Sequence, residues 1–191
     1  MTSPLYVAID TPDLAKAQHL AGQVRHHVGG LKLGLEFFCA NGHHGVHEMM
    51  KFGLPIFLDL KLHDIPNTVE RATSQIARLG ATFLTVHAYP QTMKAAVAGA
   101  AGSGLNILAV TVLTSMDDAD LAEAGYAKGP RETVAARAVQ AHACGVHGLV
   151  MSPEEVGAVR ALVGPAMRLV TPGIRPAGSD MGDQKRAATP R

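Results

Sequence analysis

The stretch Pro55-Ile56-Phe57-Leu58-Asp59-Leu60-Lys61-Leu62-His63-Asp64-Ile65-Pro66-Asn67-Thr68 decides how this chain is read. It opens as an apolar run and then places Asp59, Lys61 and Asp64 close together. Side chains on a strand alternate between faces, so Asp59 and Lys61 share one face, roughly 7 Å apart, while Leu58, Leu60 and Leu62 take the other. A charged pair on one side of a strand that is apolar on the other reads as a site, not as a solvated edge. Asp64 follows the strand end, where a loop can bring it back to the pair or carry it to a neighbouring subunit.

Outward from this stretch, short apolar runs alternate with helical patterns. Residues 5–10, 31–35, 56–61, 83–88, 107–113, 148–152 and 168–173 read as strands. Residues 13–27, 45–51, 68–79, 91–99, 131–144 and 153–163 read as helices. Thr11 and Ser152, each just before a proline, look like capping residues. Gly53, Gly80, Gly145 and Gly164 fall where helices should end. Repeated βα units with apolar strands imply a parallel sheet, and seven in succession favour a (β/α)8 TIM barrel in a single domain over 1–191. An eighth strand is not legible before Arg191, so the expectation is a barrel truncated after its seventh strand and the loop that follows. Asp10, Asp59, Lys61, His87, Thr114, Ser152 and Arg175 lie at strand C-termini, the catalytic face of such a barrel; Lys32 is read early in its strand.

Composition narrows the function. The 191 residues are 47% hydrophobic but only 4% aromatic, with no Trp, so the core is aliphatic. A net charge of +1 supplies no field that would recruit nucleic acid or an anionic membrane. The two cysteines, Cys39 and Cys144, do not form a disulfide framework and read as buried or half-buried thiols. No apolar run approaches a membrane span and no leader is evident, which leads to a cytoplasmic expectation.

Lys32, Asp59, Lys61 and Asp64 together make an alternating array that is nearly neutral yet strongly polarised. It can hold a carboxylate beside a substrate anion and an ammonium beside a developing carbanion. A substrate carboxylate ~4 Å from Asp59 feels about 4 kcal/mol of repulsion at an effective dielectric of ~20, which corresponds to about three decades in rate. Loss of CO2 relieves it without metal or organic cofactor. The other reading is an ion-pair layer that ties barrel strands together. The Gly- and Pro-rich segment from Thr171 reads either as a lid whose Arg175 grips a phosphate or as a solvated loop. His43, His44 and His47 present a helical pair without an evident third ligand, so a solvated face is favoured over a metal site. His87 reads as a rim histidine. Thr114 and Ser115 either bond a substrate or cap a helix, and Ser152 is open to the same two readings.

Together these segments resemble the bacterial orotidine 5′-phosphate decarboxylase family. The blocks that carry the resemblance are Val7-Ala8-Ile9-Asp10, Leu31-Lys32-Leu33-Gly34, residues 57–68, Ala109-Val110-Thr111-Val112-Leu113-Thr114-Ser115, and Leu169-Val170-Thr171-Pro172-Gly173-Ile174-Arg175-Pro176. The DxKxxDIPNT element is the most specific. The resemblance implies decarboxylation of orotidine 5′-phosphate to UMP in pyrimidine biosynthesis, with no cofactor and no metal. It implies that Lys32, Asp59, Lys61 and Asp64 form the charged tetrad and that Lys61 protonates C6. Asp10 and Thr68 would hold the ribose or its neighbours. Ser152 would read the pyrimidine edge, Thr114 would line the site near the partner's residues, and Arg175 and Gln184 would close over the phosphate. The block including Leu60, Leu62, His63, Ile65, Pro66 and Asn67 would line the substrate. The resemblance further implies a homodimer in which Asp64 crosses the interface. Two alternatives stay open: a Mg-dependent phosphosugar decarboxylase or aldolase of the same superfamily, and an inactive remnant shortened at its end.

Overall fold

In a computed structural model of the chain, residues 3–174, 178, 188 and 189 are described. Seven strands alternate with helices: β1 (Tyr6–Ile9), α1 (Leu14–Val24), β2 (Gly30–Gly34), α2 (Leu35–Met50), β3 (Ile56–Leu62), α3 (Pro66–Arg78), β4 (Phe83–His87), α4 (Pro90–Ala100), β5 (Asn106–Val110), α5 (Asp118–Glu123), α6 (Pro130–Ala143), β6 (Gly148–Val150), α7 (Val156–Val163) and β7 (Arg168–Val170). A 3-10 turn, Pro153–Glu155, leads into α7. The strands form one parallel sheet in sequence order, β1 through β7. Among the described strands, β1 pairs only with β2 and β7 only with β6.

The sheet is curled as in a TIM barrel, and its side chains show it. Tyr6 of β1 and Phe83 of β4 have ring centroids 5.7 Å apart, and Arg168 of β7 lies 5.8 Å over the same Phe83 ring. In a flat sheet, strands three places apart would stand ~14 Å from each other. The inner face carries an apolar plug of Phe57, Leu108, Val110 and Val150, with Tyr6, Phe83, Leu113 and Val170 packed against it. The opposite faces of the strands supply the larger core against the helices, including Ile9, Leu31, Leu33, Leu58, Leu60, Leu84, Ile107 and Leu149. The plug runs from Tyr6, Phe57 and Phe83 near the starts of β1, β3 and β4 to Val110, Val150 and Val170 at the ends of β5, β6 and β7, which leaves the inward-facing charges to the β1–β3 side.

The expected strands all form, with trimmed ends; the run 107–113 becomes Asn106–Val110. Gly53, Gly80, Gly145 and Gly164 have φ between 71° and 81°, the left-handed conformation that stops a helix. Four local readings are corrected. The helix expected over 45–51 is preceded by a helical stretch that was not anticipated: α2 begins at Leu35 and is interrupted at Gly42 (φ 53°, ψ −151°), a non-helical residue between two helical stretches. The short α5 was not anticipated; Asp117 caps it, with Asp120 closing a capping box, so the cap role offered to Ser115 belongs to Asp117. Thr11 does not cap α1: Asp13 does, accepting from the Lys16 N–H at 3.0 Å. Cys39 is exposed rather than buried, because it sits on the outer face of α2; Cys144 is half-buried, and both are free thiols.

Helices α3 and α4 approach closely, and Gly99 permits it. A Cβ there would lie 2.3 Å from the Glu70 carbonyl oxygen and 2.9 Å from Thr73 Cβ. Helix propensity favours Ala over Gly by about 1 kcal/mol, but backbone cannot retreat as a side-chain tip can. Gly99→Ala should therefore destabilise the protein by ~1–3 kcal/mol, seen as a lower urea midpoint at unchanged m. A midpoint equal to or above wild type would show that the helices separate without cost.

Candidate active site

Three strands bring four charges into one line inside the barrel mouth. Asp10 follows β1, Lys32 lies in the middle of β2, and Asp59 and Lys61 lie on β3. Lys32 Nζ stands 3.5 Å from Asp10 Oδ1 and 3.6 Å from Asp59 Oδ2. Lys61 Nζ donates to Asp59 Oδ1 at 2.9 Å. Asp59 is the least exposed member of the line, with 15% of its side chain exposed, against 67% for Asp10. Lys32 is thus not displaced from the site by its place in the strand: β2 starts one residue earlier than expected and its pairing sets Gly34 beside Asp59.

The local backbone explains how Lys61 reaches its partner. Strict alternation fails here: Leu58 pairs with Leu84 but Leu62 pairs with Val86, so the register between β3 and β4 shifts. Lys61 has φ 49°, the one non-glycine residue with positive φ among those described. That conformation costs of order 1–3 kcal/mol and must be held by its surroundings. The consequence for the outer face is that Leu58 and Leu60 are buried while Leu62 is half-buried. The Lys61 N–H, displaced from the regular ladder, donates to Thr85 Oγ1 at 2.9 Å, and the Thr85 hydroxyl donates to Asp59 Oδ1 at 2.9 Å.

Burial is the largest influence on Asp59 and raises its pKa. The Lys61 ammonium, by charge and by hydrogen bond, then Lys32 and the Thr85 hydroxyl, together overcome it and hold the carboxyl below its ordinary value. Asp59 is therefore ionised at neutral pH. Its contribution to stability is present above the unfolded value of about 4 and is lost as pH falls through the lower folded one. His87 is pushed down by burial first, then by His63, Arg137 and Lys61, while Asp59 opposes them. Its neutral form is favoured in the fold, so stability declines as pH falls below about 6.5.

Beyond Lys61 the chain turns outward. The His63 ring stacks on Tyr89 (centroids 4.4 Å, 22° between planes) and its Nδ1 lies 3.0 Å from the Thr92 hydroxyl. Tyr89 and Tyr126 hydroxyls are 2.5 Å apart, and the Arg137 guanidinium lies over both rings while donating to the Tyr126 hydroxyl and the Thr111 carbonyl. This stack braces the turn that presents Asp64. Asp64 itself is exposed, accepts the Ile65 N–H at 2.6 Å and makes no ion pair among the described residues. Ile65 is 66% exposed, and Pro66, Asn67 and Thr68 occupy the exposed first turn of α3.

Thr114 is buried in the turn after β5, and Ser152, fully buried after β6, accepts the Glu154 N–H at 3.3 Å. The cap reading of Ser152 is thereby realised. Arg175 and Gln184 lie outside the described residues. No group of three or more His, Cys, Asp or Glu side chains among the described residues is placed to hold a metal ion, and none of their helices is long and apolar enough to cross a membrane. The stretch 57–68 made the line of charges readable; Thr85 and the Tyr89–Tyr126–Arg137 stack were missed. Thr85 left one faint signal, a hydroxyl on the same parity as Phe83 and His87 in the middle of β4.

A family model described as orotidine 5′-phosphate decarboxylase / HUMPS matches residues 3–191. The chain belongs to that family. A protein from a Bradyrhizobium species named orotidine 5′-phosphate decarboxylase is 61% identical over 186 residues, covering 97% of this chain and 76% of its own. One of the same name from Sphingopyxis alaskensis is 54% identical over 191 residues, covering 100% of this chain and 85% of its own. The crystal structure of orotidine 5′-phosphate decarboxylase from Lactobacillus acidophilus superimposes with a TM-score of 0.84 at 36% identity, over 98% of this chain and 89% of that one. An uncharacterised conserved protein from Geobacillus kaustophilus gives 0.82 at 34% identity, over 88% and 83%. Kinship this close makes the chain an enzyme of the carboxy-lyase class, and the decarboxylase family's barrel is the fold described above.

Proposed function

We propose that the protein decarboxylates orotidine 5′-phosphate to UMP and CO2. The observation that carries this reading is the half-buried Asp59 carboxylate with one ammonium against each oxygen, Lys61 at 2.9 Å and Lys32 at 3.6 Å. The substrate's identity rests on the names of the relatives. The carboxylate of the substrate, set against Asp59, is destabilised by like charge. As the C–C bond breaks, its electron pair is left on C6 and CO2 departs neutral. The Lys61 ammonium, held by Asp59, stabilises the developing negative charge and delivers the proton that completes UMP. Lys32, bridging Asp10 and Asp59, fixes the carboxylate's second oxygen and so its direction.

Asp64 is assigned to the site of a second copy in a homodimer. Its exposure, its place after the braced His63 turn and its lack of an ion pair to the chain's own Lys61 all support that role. Asp10 and Thr68 are assigned to the ribose end, Ser152 to the pyrimidine edge, Thr114 to the wall of the site, and Arg175 with Gln184 to the phosphate.

The deciding experiment follows orotidine 5′-phosphate by ultraviolet absorbance with the purified chain, with and without a chelator. Turnover unaffected by chelator is expected. Chelator-sensitive release of CO2 from a phosphosugar, with none from the nucleotide, would move the assignment to the Mg-dependent branch. Binding of UMP by a folded chain without any turnover would mark a non-catalytic remnant.

A further inference from the structure

The side chain that ties the charged line to its backbone belongs to none of the charged residues. Thr85 sits in the middle of β4, fully buried, on the inner face. Its single hydroxyl makes two bonds, accepting from the Lys61 N–H and donating to Asp59 Oδ1, each at 2.9 Å. These join the two residues whose mutual geometry the proposed reaction depends on. They do so at the point where the β3–β4 register shifts and where Lys61 holds φ 49°. A displaced backbone N–H in a buried strand has to find an acceptor, and leaving it without one costs stability. The hydroxyl fills that need and spends its own proton on the carboxylate. In the same step it fixes which Asp59 oxygen faces Lys61.

We propose that Thr85 is a positioning residue: its hydroxyl locks the left-handed Lys61 backbone and the Asp59 carboxylate into one unit, so that the Lys61 ammonium is aimed before substrate arrives. The inference rests on the decarboxylase reading for its kinetic consequence, but not for its geometric one. Around Asp59 the other charged groups are Lys32 from β2, with Asp10 beyond it, and Lys61 on the same strand; His87 faces it from β4. Only Thr85 among its partners is uncharged, so it can be removed without altering the charge count.

Three variants and two readouts test the proposal. Thr85→Val keeps the shape and removes both bonds. Thr85→Ser keeps the hydroxyl. Thr85→Cys keeps a small group with only weak hydrogen bonding. In Thr85→Val, kcat should fall about 10- to 100-fold, the loss expected for a hydrogen bond to a charged group, with KM changed by less than about threefold because no substrate contact is removed. Thr85→Ser should recover most of kcat. Carbon NMR of the Asp59 carboxyl in the full chain should show its titration moved to higher pH in Thr85→Val and restored in Thr85→Ser. A general loss of packing would not give that recovery together with that shift.

A folded Thr85→Val with wild-type kcat and an unmoved Asp59 titration would overturn the proposal. If Thr85→Val does not fold, Thr85→Cys decides by the same two readouts. If the wild-type chain does not turn over the nucleotide, the carboxyl titration alone decides Thr85, and only the functional reading falls.

Discussion

Replacing Lys61 by alanine should lower kcat for orotidine 5′-phosphate by ~10⁴-fold or more, since it removes a positioned proton donor and the cation facing the developing carbanion together. The loss should be in chemistry rather than folding. Alanine at position 61 meets the same positive φ that lysine does, and the Lys61 N–H that bonds Thr85 belongs to the backbone and survives the change. Asp59 keeps Lys32 and Thr85 as partners. The carboxyl should accordingly titrate higher, since the strongest force holding it down has gone. Lys61→Arg separates the two roles. It restores positive charge but its guanidinium is never deprotonated, so it should bind UMP close to wild type and still fall by ~10³-fold or more in turnover. Single-turnover absorbance with UMP affinity alongside would check both. A Lys61→Ala enzyme that kept a tenth of its activity would remove Lys61 from the proton-delivery role and leave the charged line as a structural tie.

The site was legible where chemistry follows from residue type along one strand. Asp59 and Lys61 two apart, with leucines between and around them, already implied a charged inner face, and the barrel order followed from seven βα units. What stayed hidden was set by pairing between strands. The left-handed Lys61 cannot be read from a lysine, because it arises from the register shift against β4. Thr85 lies 26 residues from Asp59 in sequence, and nothing near it marks it as more than a tolerated polar residue in a buried strand. Local signals failed in a different way at Asn41-Gly42 and at α5. In the first, Gly42 does interrupt the helix, and the helical stretch before it, from Leu35, was too short for its period to show. In the second, a six-residue helix held by a capping box was too short for its period to show. The Tyr89, Tyr126 and Arg137 stack joins three separate elements, and no spacing within any one of them predicts the meeting.

Asp64 supplies the second large effect, and the proposed homodimer makes its role testable with two chains. Asp64→Ala should lose turnover by ~10³-fold or more, because the array then lacks a charge beside the reacting carboxylate. Its stability should hardly change, since the exposed side chain gives up only a bond to the Ile65 N–H. If Asp64 acts in its own barrel, mixing inactive Asp64→Ala with inactive Lys61→Ala after mild dissociation gives nothing. If it crosses a two-fold interface, a mixed dimer carries one site with both defects and one with neither. Random mixing then restores roughly a quarter of wild-type activity, half the dimers being mixed and half of each mixed dimer's sites intact. The recovery should scale with the product of the two variants' fractions, which contamination by wild type would not do. The stack of His63 on Tyr89 gives this experiment its control. Tyr89→Leu removes the ring under His63 while leaving both charges, so it should weaken Asp64's presentation, lowering kcat about 10-fold in pure and mixed dimers alike. No recovery on mixing, at subunit exchange proven by a mass-tagged partner, would return Asp64 to its own chain and require the loop after β3 to fold back over Lys61.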